Sequence, residues 1–135
     1  MIHIRSTGEV QKISRACQIV KETLEIIQEI IVPGISTLEL DIEAGVCIIG
    51  EEQDLRSAFS NLIMNALKYS DESTMVKVIW KKTEEGLIFK VIDQGEGIAA
   101  ADIPRVTERF FRAEVKRSKK LSGTGLGLAI VKHVL

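Results

Sequence analysis

The sequence contains few of the residues that mark several classes of protein. Its 135 residues include two cysteines, two prolines and 4% aromatic residues. No apolar run approaches the roughly 18 residues that a membrane-spanning helix needs, and no export signal opens the chain. Cys17 and Cys47 match no metal-binding or redox spacing and no disulfide framework. We therefore expect a segment that is not membrane-embedded, in a reducing compartment, with both cysteines as small buried residues.

The remaining composition suits one folded domain. Apolar residues make up 45% and charged residues 27%, which excludes a mainly disordered chain and supports a single core. The net charge is −1, but the charges are unevenly distributed. Residues 105–120 hold seven basic and two acidic residues, so the rest of the chain has a net charge of −6. Such a stretch can be a solvated face or can contact nucleic acid. Because few aromatic residues lie between the basic ones, we expect no nucleic-acid partner and favour a nucleotide phosphate.

Hydrophobic periodicity predicts helices mixed with short strands. Residues 10–31 carry one apolar stripe, which either packs on this domain or forms a coiled-coil seam, and Pro33-Gly34 ends that helix. The other predicted elements are helices over 51–69, 101–111 and 124–135 and strands over 36–42, 75–82 and 87–93. The first strand is expected to point three residues inward, namely Leu38, Leu40 and Ile42. The pattern predicts an α+β fold with helices on one face of a sheet.

The helix predicted over 51–69 carries two stripes. The residues expected to face the core are Leu55, Phe59, Leu62, Ile63 and Ala66. About 120° around the helix lie four others, namely Asn61, Asn65, Lys68 and Tyr69. An amide oxygen is a hard neutral ligand that suits Mg²⁺, whose other ligands are commonly phosphate oxygens and waters, and a lysine adds a charge for phosphate. The alternative is a solvated polar face.

Two glycine-containing turns follow. The segment 93–98, Asp-Gln-Gly-Glu-Gly-Ile, places Asp93 at a strand end, where it can accept a hydrogen bond from an exocyclic amine, although hairpin turns use the same residues. The segment 123–128, Gly-Thr-Gly-Leu-Gly-Leu, opens the last helix, where free N–H groups and the helix dipole favour an anion. The second turn matches neither a Walker loop nor a dinucleotide fingerprint.

Four ordered segments resemble the N, G1, F and G2 boxes of bacterial sensor histidine kinases: NLIMNALKYS (61–70), DQGEGI (93–98), ERFFR (108–112) and GTGLGLAIVKHV (123–134). The chain from about residue 9 to its end therefore resembles the ATP-binding catalytic domain of that family, with 1–8 as an N-terminal extension. Within the family, IPRVTERFFR and AIVKHV most resemble the phosphate-regulon sensor kinases. The resemblance implies a two-layer α/β sandwich with a mixed sheet and three or four helices.

The resemblance also implies catalytic roles. Asn65 would ligate Mg²⁺, while Lys68 and Arg112 would reach the phosphates of ATP. Asn61 stands where gyrase-like relatives keep a glutamate that activates water, so its amide would suit phosphoryl transfer rather than hydrolysis.

Further residues are implied to hold the nucleotide. Asp93 would bind the adenine amino group, and Tyr69 would lie near the ring. The positions that would close on ATP are Gly95, Gly97, Ile98, Gly123, Thr124, Gly125, Leu126 and Gly127. Residues 112–122 would form a mobile lid whose near end is anchored by Phe110 and Phe111, two residues that otherwise read as core.

The sequence departs from the family pattern in two respects, its histidines and its C-terminal end. The chain has two histidines, His3 and His133, and neither lies in a phosphoacceptor block. The resemblance therefore implies a separate histidine-bearing domain as acceptor, with a response regulator acting after it, in the cytoplasmic part of a membrane-anchored sensor. The family also continues beyond the last helix into about two more strands, so we expect a C-terminally truncated domain with an exposed sheet edge.

Two other functions remain open from the sequence. One is a serine or threonine kinase of the anti-sigma type, which has the same fold, although Phe110 and Phe111 favour the histidine class. The other is a non-catalytic ATP-binding or interaction module.

Overall fold

A computed structural model of the chain describes residues 37–135 apart from 44, 47, 49, 72–73 and 114–122. The described elements are strand β1 (Thr37–Ile42), helix α1 (Glu52–Tyr69), strands β2 (Met75–Thr83) and β3 (Gly86–Ile92), a 3-10 turn (Ile103–Arg105) and helix α2 (Gly127–Val134). The predicted helix over 10–31, both cysteines, His3 and most of the predicted lid lie outside the described residues.

The three strands form a mixed sheet in the order β1-β2-β3. β1 pairs parallel with β2, and β2 pairs antiparallel with β3. Parallel neighbours need a crossover connection, and α1 supplies it. The hairpin between β2 and β3 turns at Glu84-Glu85, where Thr83 pairs with Gly86. Each predicted strand is therefore confirmed, with ends that differ by one residue.

The core lies between α1 and one face of the sheet. Every second residue of the first part of β2 is buried, namely Val76, Val78 and Trp80. The Phe59 ring of α1 packs against the rings of Trp80 and Phe89, with centroid distances of 5.8 and 4.3 Å. The Trp80 indole N–H donates a hydrogen bond to the Val46 carbonyl at 3.0 Å, which satisfies its polar atom inside the core.

Three predicted core positions are more exposed than expected. Leu40 and Ile42 share the inner face with Leu38, but they are 36% and 41% exposed. The reason is that β1 lies at the edge of the described sheet, while α1 contacts β2 and β3. Leu62 is half-buried, and Ala58 is the fully buried residue of α1 that the stripe did not include.

The predicted helix over 101–111 is wrong, because this stretch contains one 3-10 turn and then irregular turns. Its hydrogen bonds mostly span three residues, as in the bond from the Arg105 N–H to the Asp102 carbonyl at 2.8 Å. Pro104 has no N–H to donate. Phe110 takes a left-handed conformation with φ of 65°, and its N–H donates to the Gly125 carbonyl at 2.9 Å. A contact distant in sequence thus overrides local helix propensity.

Helix α2 packs along α1, and Val134 at its C-terminal end reaches the core. It begins at Gly127, three residues later than predicted, because Gly125 adopts a left-handed φ of 68° that a helix does not permit. His133 is exposed on α2. Within the described part of the chain, no helix is long and apolar enough to cross a bilayer.

Candidate functional site

A cavity of about 450 Å³ opens beside α1, the end of β3 and the glycine-rich turn before α2. This volume lies within the range of small-ligand sites. The cavity brings together segments that are far apart in sequence. Twelve of the predicted site residues line it, namely Asn61, Asn65, Lys68, Tyr69, Asp93, Gly97, Ile98, Arg112, Gly123, Thr124, Gly125 and Gly127. Gly95 and Leu126 do not line it.

The polar stripe of α1 forms one wall of the cavity. Asn61, Asn65, Lys68 and Tyr69 are all half-buried, because the helix turns its apolar stripe to the sheet and leaves this stripe at the boundary. The Asn61 side-chain amide donates a hydrogen bond to the Ser57 carbonyl at 2.8 Å. The Lys68 ammonium lies 5.4 Å from the centroid of the Tyr69 ring, within reach of a cation–π interaction.

The turn after β3 carries Asp93 to the cavity. One oxygen of the Asp93 carboxylate accepts a hydrogen bond from the Gly95 N–H at 2.9 Å, which orients the side chain. Gly95 itself faces the end of α1, where a Cβ would collide with the Tyr69 carbonyl oxygen. Glycine is therefore required at residue 95 by the packing of the turn on α1 and not by the cavity.

The turn before α2 lies close to the polar stripe of α1. A Cβ on Gly123 would lie 2.7 Å from the Lys68 ammonium, and one on Gly127 would lie 2.8 Å from the Asn61 amide oxygen. These two glycines allow the backbone of the turn to approach the polar side chains directly. Leu126 precedes the first residue of α2 and stays outside the cavity.

Phe110 and Phe111 lie in different environments. Phe110 is 72% exposed, so its assignment to the core is wrong. Phe111 is half-buried and lines the cavity, and the Arg105 guanidinium lies 4.3 Å from its ring centroid. Arg112 follows directly and also lines the cavity. Of the predicted lid, residues 114–122 lie outside the described residues.

The charges of the cavity suit a ligand with an anionic part and an amine. Its wall contains two cations, Lys68 and Arg112, and two carboxylates, Asp93 and Glu96. The predicted nucleotide-binding residues did not include Glu96 and eight other residues that line the cavity, namely Leu62, Met64, Ala66, Val91, Val106, Phe111, Ala113 and Leu128, of which Phe111 was predicted to anchor the lid and Ala113 to lie within it. Most of these are apolar, and an apolar residue beside a flat ligand has the same sequence pattern as a core residue.

The donor set for a metal ion at this site is small. The described residues contain no group of three histidine, cysteine, aspartate or glutamate side chains that could hold one. Asn65 lines the cavity with a neutral amide. This fits Mg²⁺, which is often bound by one or two protein groups together with ligand phosphates and waters.

Comparison with known families gives a match over most of the described chain. The profile described as "Histidine kinase-, DNA gyrase B-, and HSP90-like ATPase" matches residues 50–135. Three sensor proteins are similar over 98 residues, or 73% of this chain. They are the phosphate regulon sensor protein PhoR of Haemophilus influenzae at 48% identity, PhoR of Pseudomonas aeruginosa at 46%, and the sensor-like histidine kinase SenX3 of Mycolicibacterium smegmatis at 44%. The matched region is 22–26% of those proteins, so the chain corresponds to about a quarter of their length.

Solved structures show the same fold. The mycobacterial sensor histidine kinase MprB superposes with a TM-score of 0.74 at 30% identity, covering 87% of this chain and 75% of that one. The catalytic domain of the histidine kinase ThkA gives a TM-score of 0.72 at 18% identity, covering 87% of this chain and 75% of that one, which supports the fold alone.

Proposed function

Because the chain belongs to the histidine kinase-, DNA gyrase B- and HSP90-like ATPase family, we propose that its cavity holds Mg-ATP and presents the γ-phosphate to a histidine on a separate domain. The observation that carries the proposal is the convergence of Asn65, Lys68, Asp93 and Arg112 on one cavity. An ATPase domain binds ATP. These four side chains offer an acceptor for the adenine amine, two cations for the phosphates and an amide for Mg²⁺.

The adenine end is assigned to Asp93. Its carboxylate is held by the Gly95 N–H, which leaves acceptor capacity for the exocyclic amine of the base. Tyr69 and Ile98 line the same cavity and supply surface for the flat ring. A charge-assisted acceptor of this kind is about twice as strong as a neutral one.

The phosphate end is assigned to Lys68 and Arg112. Lys68 lies against the glycine-rich turn, where Gly123 leaves room for its ammonium. Asn65 would hold Mg²⁺, which neutralises phosphate charge when it is bound. The N–H groups of the turn before α2 are not taken by the helix and can contact phosphate oxygens.

The reaction proposed is phosphoryl transfer to an imidazole nitrogen. The bond from the γ-phosphorus to its bridging oxygen breaks, a phosphorus–nitrogen bond forms, ADP leaves with the bond's electron pair, and the imidazole proton passes to solvent. Asn61 offers no group that could deprotonate water, so we expect slow hydrolysis. His133 lies in the last turn of α2, six residues beyond Gly127 or about 9 Å along the helix, and it does not line the cavity, so we do not expect it to be the acceptor.

Two features of the relatives extend the proposal. Their names point to sensor proteins, and the PhoR matches at 46–48% identity favour a phosphate-regulon sensor. We expect a response regulator to act after the acceptor histidine, and we place this domain on the cytoplasmic side of a membrane-anchored sensor. The alternatives are a serine or threonine kinase of the same fold and a module that binds ATP without catalysis. The three functions differ in whether the γ-phosphate is transferred and, if so, whether a histidine nitrogen or a hydroxyl receives it.

The test is a transfer assay with labelled ATP. The full chain is incubated alone, and then with a separate helical hairpin that carries an acceptor histidine. We expect no label on the chain alone and acid-labile label on the hairpin. Asn65→Ala should abolish the transfer, whereas Lys90→Ala, on the outer face of the sheet, should leave it unchanged. Acid-labile label on the chain alone, or acid-stable label on a hydroxyl, would contradict the proposal, and binding without transfer would favour the non-catalytic module.

A further inference from the structure

One arginine near the cavity makes two side-chain contacts although it does not line the cavity. Arg105 ends the 3-10 turn, and its guanidinium carbon lies 4.3 Å from the centroid of the Phe111 ring. Its Nε also lies 3.3 Å from a Glu108 carboxylate oxygen, so the planar group is held by two neighbours. Phe111 and the following Arg112 do line the cavity.

Backbone contacts with the glycine-rich turn also hold this part of the chain. The Phe110 N–H donates to the Gly125 carbonyl at 2.9 Å, and Phe110 keeps a left-handed φ of 65°. Gly125 approaches so closely that a Cβ would lie 2.9 Å from the Phe111 carbonyl oxygen. Phe111 therefore contacts the Arg105 guanidinium through its ring and the glycine-rich turn through its backbone, and it directly precedes Arg112, which lines the cavity.

We propose that Arg105 is a positioning residue for Arg112, because its stacking on Phe111 fixes the point at which the chain enters the cavity. The proposal rests on the proposed function, since it assigns Arg112 to the phosphates of ATP. Arg105 is 56% exposed, so its contribution is that of a partly solvated cation–π pair. We expect Arg105→Ala to lower ATP affinity roughly two- to fivefold.

The experiment compares ATP with adenosine. Calorimetry on the full chain measures both affinities for the unchanged protein and for Arg105→Ala, and the ratio of the two is the readout. A general disturbance of the fold lowers both affinities, whereas displacement of Arg112 lowers the ATP affinity alone. Arg105→Lys keeps the charge but loses the planar stacking group, so we expect it to resemble the alanine variant.

Two controls separate stacking from bulk charge. Lys90→Ala removes one positive charge from an exposed residue of β3 that does not line the cavity, and it should leave the ratio unchanged. In the Arg112→Ala background, Arg105→Ala should have no further effect on ATP affinity, because residues that act through one group are not additive.

A second measurement needs no nucleotide. Hydrogen exchange of the Phe110 amide, followed by NMR, reports the bond to the Gly125 carbonyl, and Arg105→Ala should accelerate it several-fold. Failure of the unchanged chain to bind ATP would sink the proposed function alone, because this exchange still tests the positioning. Four results would each overturn the role of Arg105: an unchanged ATP-to-adenosine affinity ratio in Arg105→Ala, an unchanged ratio in Arg105→Lys, an additive double variant, or an unchanged exchange rate of the Phe110 amide.

Discussion

Gly95 and Gly97 make the sharpest prediction about stability, because they lie in one turn and are required for different reasons. At Gly95, a Cβ would collide with the Tyr69 carbonyl oxygen at the C-terminal end of α1, which is backbone and cannot rotate away. At Gly97, a Cβ would meet nothing within 4 Å, but φ is +74°. Gly95→Ala is thus a steric change, and Gly97→Ala is a conformational one.

The two costs differ in size. Overpacking against fixed atoms costs typically about 1–3 kcal/mol, and we expect the upper part of that range for Gly95→Ala because α1 would have to shift. A left-handed alanine costs roughly 1–2 kcal/mol, partly offset by about 0.4–1 kcal/mol from the stiffer unfolded chain, so Gly97→Ala should cost at most about 1.6 kcal/mol. A domain of this size has only about 5–15 kcal/mol to lose.

Urea unfolding gives the comparison directly. Trp80 is the single tryptophan and is 3% exposed in the core, so its fluorescence reports the loss of tertiary structure. The midpoint should fall much further for Gly95→Ala than for Gly97→Ala, with the slope unchanged in both. If Gly97→Ala is as costly as Gly95→Ala, the close approach of the turn to the end of α1 is not what requires glycine at residue 95.

Three further predictions concern binding, the core and pH. Asp93→Asn keeps an oxygen for the Gly95 N–H but can turn an amide donor toward the base, so calorimetry should show ATP binding weakened about 5- to 150-fold, and unchanged affinity would remove Asp93 from the site. Phe59→Ala, at a residue 2% exposed, should cost about 3–5 kcal/mol in urea unfolding, and a loss below 1 kcal/mol would contradict its place at the centre of the core. The hydrogen bond and charge of Glu39 raise the pKa of Lys77, so this pair stabilises the fold at neutral pH and that contribution disappears as the pH rises above about 10. Between pH 9 and 11, the melting temperature of Lys77→Met should therefore fall by less than that of the unchanged chain. Equal falls in the two proteins would refute the pairing.

The sequence alone was sufficient for the family and the fold class. Four ordered boxes identified a histidine-kinase-type ATPase domain, and the family profile and the solved structures confirm it. Regular periodicity placed α1 and the three strands within one residue, because the spacing of apolar residues encodes which face of an element is buried. The roles of the individual site residues stay predictions, although twelve of the fourteen line the cavity.

Other features depended on contacts between residues that are far apart in the chain. The stretch 101–111 has helical periodicity, yet the bond from the Phe110 N–H to the Gly125 carbonyl holds its end in a left-handed turn. Leu40 and Ile42 alternate like core residues, but their burial depends on which strands α1 covers. The need for glycine at residue 95 comes from the Tyr69 carbonyl, 26 residues earlier. Local pattern determines which side chains can face inward, and the packing of distant elements determines which of them are buried and where the backbone comes too close for a side chain.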